Sequence, residues 1–129
     1  MLRLLDAVMA LVFALFAAVQ INDPAPGNLP WMATYAAGAV LCGLAAAGRA
    51  GGSSYRRAAL VLAAGATAYA AYLLIGVLAG GGSVFDLQTQ AMEGGGEAQR
   101  EGWGLVILAA YTAWLGLRRP RATPAVSAR

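Results

Sequence analysis

Polar side chains interrupt this chain at only a few places, and four long apolar runs lie between them. Leu4–Ile21 carries one charge, Asp6, while Trp31–Gly48 and Ala58–Gly80 carry none. A fourth run is uncharged from Gly102 to Leu117 and lengthens to 99–118 once charged helix ends are admitted. A hydrocarbon core about 30 Å thick needs about 20 residues of helix. Lipid offers no partner to open backbone groups, so each run is expected to cross as an α-helix. The pattern therefore predicts an all-α fold. It is a four-transmembrane-helix bundle over residues 1–119, with spans at about 4–21, 31–48, 58–80 and 99–118. Residues 120–129 form a short basic tail, expected to be flexible.

The connections carry their own signals. Asn22-Asp23-Pro24 should end helix 1, because a residue before proline is pushed out of the helical region. Asn28 is placed to cap helix 2, with Pro30 in its first turn, where a missing N–H costs nothing. Ser83-Val84-Phe85-Asp86 resembles a capping box and predicts a short interfacial helix through Met92, with Val84, Phe85 and Leu87 dipped into the membrane surface. Gly94-Gly95-Gly96 then breaks the chain before helix 4. Glu97 and Glu101 share one face of that helix, which continues through Gly104, Leu108, Tyr111 and Leu115. Gly38, Cys42, Ala46, Gly65, Ala68, Gly76 and Gly80 are expected to let helices approach closely. Trp31, Trp103 and Trp114 fall near span ends, where tryptophan anchors at the interface.

Composition agrees with a membrane protein: 60% of residues are hydrophobic and 12% charged, against about 25% charged in soluble domains. Charge also sets direction. All nine basic residues are arginine, and eight of them (all but Arg100) fall in the N-terminus, the second connection or the C-terminal tail. With four spans those segments share one side, which the positive-inside rule makes cytoplasmic. The expected topology is N-in, C-in, in a multi-pass protein of the inner membrane if bacterial. Five of six acids fall on the opposite, outer side. A cleaved signal peptide over the first run is the competing reading, allowed by Arg3, Ala17 and Ala18. Asp6 and the unbroken length argue against it.

The chemistry is sparse. Without histidine the usual general base and the commonest metal ligand are missing. The lone Cys42 excludes an intramolecular disulfide and a thiolate cluster, and reads as a small apolar filler. The helix middles hold no charge and few polar groups beyond Thr67 and Tyr69, which disfavours an ion pathway. What remains gathers at the outer mouth. Arg100, the one outer cation, would be costly if left unpaired near hydrocarbon. Asp23, Glu97 and Glu101 are its natural partners, and such a pair would latch helix 1 to helix 4. The same mouth, lined by Gln20, Asn22, Asp23, Trp31, Tyr35, Glu97, Arg100 and Glu101, is the candidate ligand site. Its occupant would be a small polar molecule, a lipid or a hard oxygen-liking cation. No resident cofactor or metal is expected.

These residues resemble a known family. A first helix ending in Gln20-x-Asn22-Asp23-Pro24, Trp31 and Tyr35 opening the second, and Arg100-Glu101 followed by Gly102-x-Gly104-Leu105 are similar to the transmembrane protein 220 family. Ala25 stands where that family often has a second Asp, and loop 1 is stretched before Trp31. The resemblance implies a four-helix membrane protein and carries no agreed activity. The residues therefore favour a non-enzymatic bundle, structural or accessory to a membrane complex, whose partners are the bilayer and another membrane protein or a second copy, not nucleic acid. A binder or carrier at the outer mouth is the alternative. A carboxylate-based enzyme using Glu97 or Glu101 is the second alternative.

Overall fold

The computed structural model describes residues 1–22, 28–85 and 95–118, with the side chains of Asn22 and of residues 95–97 outside the description. The expected interfacial helix lies mostly outside it, as do Asp23 and the 120–129 tail. Four α-helices follow in order: α1 Leu2–Val19, α2 Asn28–Ala46, α3 Ser53–Ala79 and α4 Gly95–Leu117. Three of them, α1 to α3, are long and apolar enough to cross a membrane.

The first three helices end for local reasons. The last turn of α1 tightens into a 3-10 turn over Gln20–Asn22, just ahead of Pro24. At the end of α2, Gly48 sits at φ +76° and lets Arg49 N–H reach Leu44 O at 2.8 Å and Gly48 N–H reach Ala45 O at 3.0 Å. Gly81 repeats the arrangement after α3, with Gly82 N–H on Val77 O at 2.9 Å and Gly81 N–H on Leu78 O at 3.0 Å. Both are Schellman caps, which consume the orphan carbonyls of a helix end. Asn28 does not cap α2 as expected. Its Nδ2 instead donates to Gln20 O at 3.1 Å, closing the neck between α1 and α2.

The helices alternate in direction and pair as two hairpins, α1 along α2 and α3 along α4. The hairpins join through α2, which touches both α3 and α4. One end of the bundle holds the N-terminus, the α2–α3 turn and the end of α4. It is called here the terminal end, and the opposite one the loop end.

Close approach comes from residues other than the expected glycines of α3. A Cβ at Gly65 or Gly76 would meet nothing within 4 Å, so the Gly76-xxx-Gly80 stripe borders open space. Instead α3 buries Tyr55, Ala59, Ala63, Ala66 and Ala70. That spacing of three and four keeps one small face turned to its neighbours. On α4, a Cβ at Gly102 would stand 2.8 Å from Leu74, and one at Gly116 would stand 2.7 Å from Leu60. Gly38 of α2 does act as expected, taking Leu108 and Phe13 against its backbone. Threonine hydroxyls are satisfied within their own helices: buried Thr112 donates to Leu108 O at 2.7 Å and exposed Thr67 to Ala63 O at 2.8 Å.

The apolar surplus faces outward. Leu4, Leu11, Leu15 and Val19 on α1 are each at least 64% exposed, as are Val61 and Tyr72 on α3. A soluble monomer rarely shows so continuous an apolar surface. In hydrocarbon it carries no penalty, because the tails are as apolar as leucine.

Candidate functional site

At the loop end the helices bring together part of the expected cluster. Trp31 and Tyr35, one turn apart on α2, stack at 6.4 Å and 22°. Trp31 also leans on Tyr69 of α3 at 5.2 Å. Tyr35 is 2% exposed, packs edge-on against Phe16 at 5.4 Å, and presses its hydroxyl against Gly104 of α4. Glu101, half-buried one turn above Gly104, is close enough to Tyr35 for its charge to act on the phenol. Of the α4 face through Gly104, Leu108, Tyr111 and Leu115, Gly104, Leu108 and Leu115 are buried and Tyr111 is half-buried. Arg100 is exposed on a different side of the helix from half-buried Glu101. Asp23 lies outside the described residues, as do the side chains of Asn22 and Glu97.

Two acceptors at this neck stand out. Gln20 Oε1 and Asn28 Oδ1 are shielded from solvent and have no hydrogen-bond partner among the described residues, and Asn28 is only 8% exposed. Gln99, in the first turns of α4, is 1% exposed, and its Nε2 also has no partner among the described residues. Buried polar atoms are nearly always satisfied, so each needs a water, a ligand or a partner. Trp103 belongs to the connection, not the cluster: its indole N–H donates to Val84 O at 2.8 Å and its ring meets Phe85 at 5.8 Å.

The more complete polar constellation lies at the terminal end, where none was expected. Asp6 of α1 is 1% exposed. Its Oδ1 accepts from Arg118 Nη1 at 3.0 Å and from the Tyr111 hydroxyl at 2.8 Å, and its Oδ2 accepts from Arg118 Nη2 at 3.0 Å. The guanidinium also lies over the Trp114 ring, 4.6 Å from its centroid. Cys42 of α2 and Tyr55 of α3 sit within electrostatic reach of both charges, so all four helices border this pair. Tyr55 in turn donates to Leu41 O at 3.1 Å, tying α3 to α2.

Two further arginines finish this end. Arg56 Nε donates to Gly116 O at 2.9 Å, and the Arg3 guanidinium lies against Gly48 just past α2. Both place a cation at a helix C-terminus, where orphan carbonyls and the helix dipole favour it. Arg118, expected at the end of the fourth run just before the basic tail, is therefore pinned inside the bundle by a bidentate pair. The signal was present in the sequence. A lone carboxylate near the start of an apolar helix needs a partner at its own depth, and Arg118 follows directly on the last apolar run. What hid it was the sequence separation of 112 residues.

No curated protein and no solved structure shows a match to the chain. The family described as Transmembrane family 220, helix, matches residues 12–117, from the middle of α1 to the last residue of α4. The apolar outward faces and this match over most of the chain make it a membrane protein, and the chain belongs to Transmembrane family 220.

Proposed function

We propose that this protein is a small structural or accessory membrane protein whose charged residues serve to hold helices together. The observation that carries the reading is the Asp6–Arg118 pair, in which a buried carboxylate and a guanidinium are spent on joining α1 to α4. Arg3 and Arg56 act in the same sense at the ends of α2 and α4. In this reading α4 is the fourth span and both termini are cytoplasmic. The support is the gathering of eight of nine arginines in segments that four spans bring to one side. A second latch, of Asp23, Arg100 and Glu101, would close the loop end as Asp6 and Arg118 close the terminal end.

A second reading is favoured by a specific observation, the shielded oxygens of Gln20 and Asn28 at the loop end, which have no partner among the described residues. Acceptors without donors suit a small cation or an amine better than an anion. One experiment separates the two. Asp23→Asn and Glu101→Gln are made singly, and melting in detergent is measured together with calorimetric titration by Ca²⁺ and by ethylammonium. The latch reading expects both variants to melt lower and neither cation to bind. Unchanged melting with loss of a cation that the parent protein binds would replace it with the binder reading.

A further inference from the structure

The seam between α1 and α4 is closed by side chains at the terminal end and left open beside them. A cleft of about 390 Å³ runs along it, lined by Met9 of α1 and by Val106, Ile107, Ala110, Tyr111 and Trp114 of α4. That volume falls within the range of about 300–1,000 Å³ typical of small-ligand pockets. Its lining is almost wholly apolar, so a polar solute is excluded and a hydrocarbon is accepted. From Val106 to Trp114 the cleft spans eight residues of helix, roughly 12 Å at 1.5 Å per residue. It therefore runs along the helix axis, the direction an acyl chain takes in a bilayer.

Its terminal end is polar. Trp114 stands there, and tryptophan prefers the headgroup level. Arg118 lies over that ring, with 20% of its side chain exposed and its guanidinium shared between Asp6 and Tyr55. Among the described residues this end carries Arg3, Arg49, Arg56, Arg57 and Arg118 against one acid, Asp6. The Asp6–Arg118 pair is neutral in itself, so the positive surplus of the terminal end comes from Arg3, Arg49, Arg56 and Arg57, and that surplus is complementary to a lipid with an anionic headgroup.

We propose that the α1–α4 cleft binds an acyl chain of an anionic glycerophospholipid, with its phosphate at the Arg118–Trp114 rim. The site is distinct from the loop-end cluster and rests on α4 being embedded in the bilayer.

The test uses the full chain in mixed micelles holding equal palmitoyl-oleoyl phosphatidylglycerol and phosphatidylcholine, with retained lipid read by native mass spectrometry. The parent protein should keep phosphatidylglycerol at least fivefold over phosphatidylcholine. Ala110→Trp, which fills the cleft, should lower that retention at least fivefold, and Val106→Phe should do the same if Ala110→Trp folds poorly. Ala68→Trp, on the exposed face of α3, should leave it unchanged. Equal retention of the two lipids, or cleft variants that retain as much as Ala68→Trp, would overturn the site. Ala110→Cys in a Cys42→Ala background separates the premise. Labelling by a water-soluble maleimide would mean that α4 lies outside the bilayer and that the proposal falls with it. An unlabelled thiol without lipid preference would remove the lipid site alone.

Discussion

Asp6 and Arg118 are 112 residues apart in sequence and meet through two parallel hydrogen bonds of 3.0 Å. The pair crosses from the first turns of α1 to the end of α4, two helices that otherwise meet mainly through aromatic side chains such as Phe13 and Tyr111, 6.4 Å apart. A carboxylate and a guanidinium taken out of water lose most of their hydration. Fork-to-fork geometry and the Tyr111 hydroxyl replace it. Removing one partner should therefore cost more than removing both. Asp6→Ala is expected to destabilise by about 3–5 kcal/mol, because it leaves a cation facing hydrocarbon. Asp6→Ala with Arg118→Met should recover at least half of that loss. Thermal unfolding of the single and double variants in detergent measures the coupling, and strictly additive losses would refute it.

Gly104 and Tyr35 offer a test of the packing between α2 and α4. A methyl group at Gly104 would drive into the Tyr35 hydroxyl, the tightest neighbour at that position. Gly104→Ala should cost about 1–3 kcal/mol, the usual penalty of overpacking. Tyr35→Phe in the same chain should return part of it, since the next nearest atom, Tyr35 Cζ, stands at 3.4 Å. Gly65→Ala and Gly76→Ala meet no neighbour and should stay within about 0.5 kcal/mol of the parent. Equal losses at all three glycines would show that the helices pack in another register.

Gly48 is demanding for a different reason. Its φ of +76° belongs to the left-handed region, and the Arg3 guanidinium lies 3.0 Å from where a Cβ would stand. Gly48→Ala should cost about 1–2 kcal/mol from the backbone alone. Arg3→Gln relieves the side-chain crowding and leaves that backbone cost in place. Melting of the two variants and of their combination distinguishes the contributions.

Cys42 provides a readout of opening. It is fully buried against the core, next to the charged pair. In the folded protein it should resist maleimide, and it should label only as fast as the bundle opens. Asp6→Ala is expected to speed labelling in proportion to its loss of stability. Labelling of the parent protein at the rate of a free thiol would contradict the packing around Phe13 and Leu108.

The four helices were legible in the chain because hydrophobic length is a local property. Three boundaries follow from residues that act on their own backbone: Pro24 after α1, Gly48 after α2 and Gly81 after α3. The helical spacing of Gly104, Leu108, Tyr111 and Leu115 on α4 was legible too, while the packing decided that most of that face is buried. Asn28 was not. Its amide could cap its own helix or bridge to the previous one, and only the position of Gln20 O decides between them.

Sequence by itself determined that this is a membrane bundle of helices and that arginine is concentrated in three segments, whereas α2, α3 and α4 begin at Asn28, Ser53 and Gly95, three to five residues before the expected spans. Tertiary structure decided what those arginines do. Arg3 and Arg56 settle on helix ends, and Arg118 turns inward to neutralise Asp6 across the bundle. It also decided which small residues bring helices close, turning the alanine face of α3 inward and leaving its glycine stripe on open space. The reason is common to both. Helix formation depends on neighbours three and four residues away, whereas the choice of a charge partner or a packing face depends on which distant helix arrives alongside.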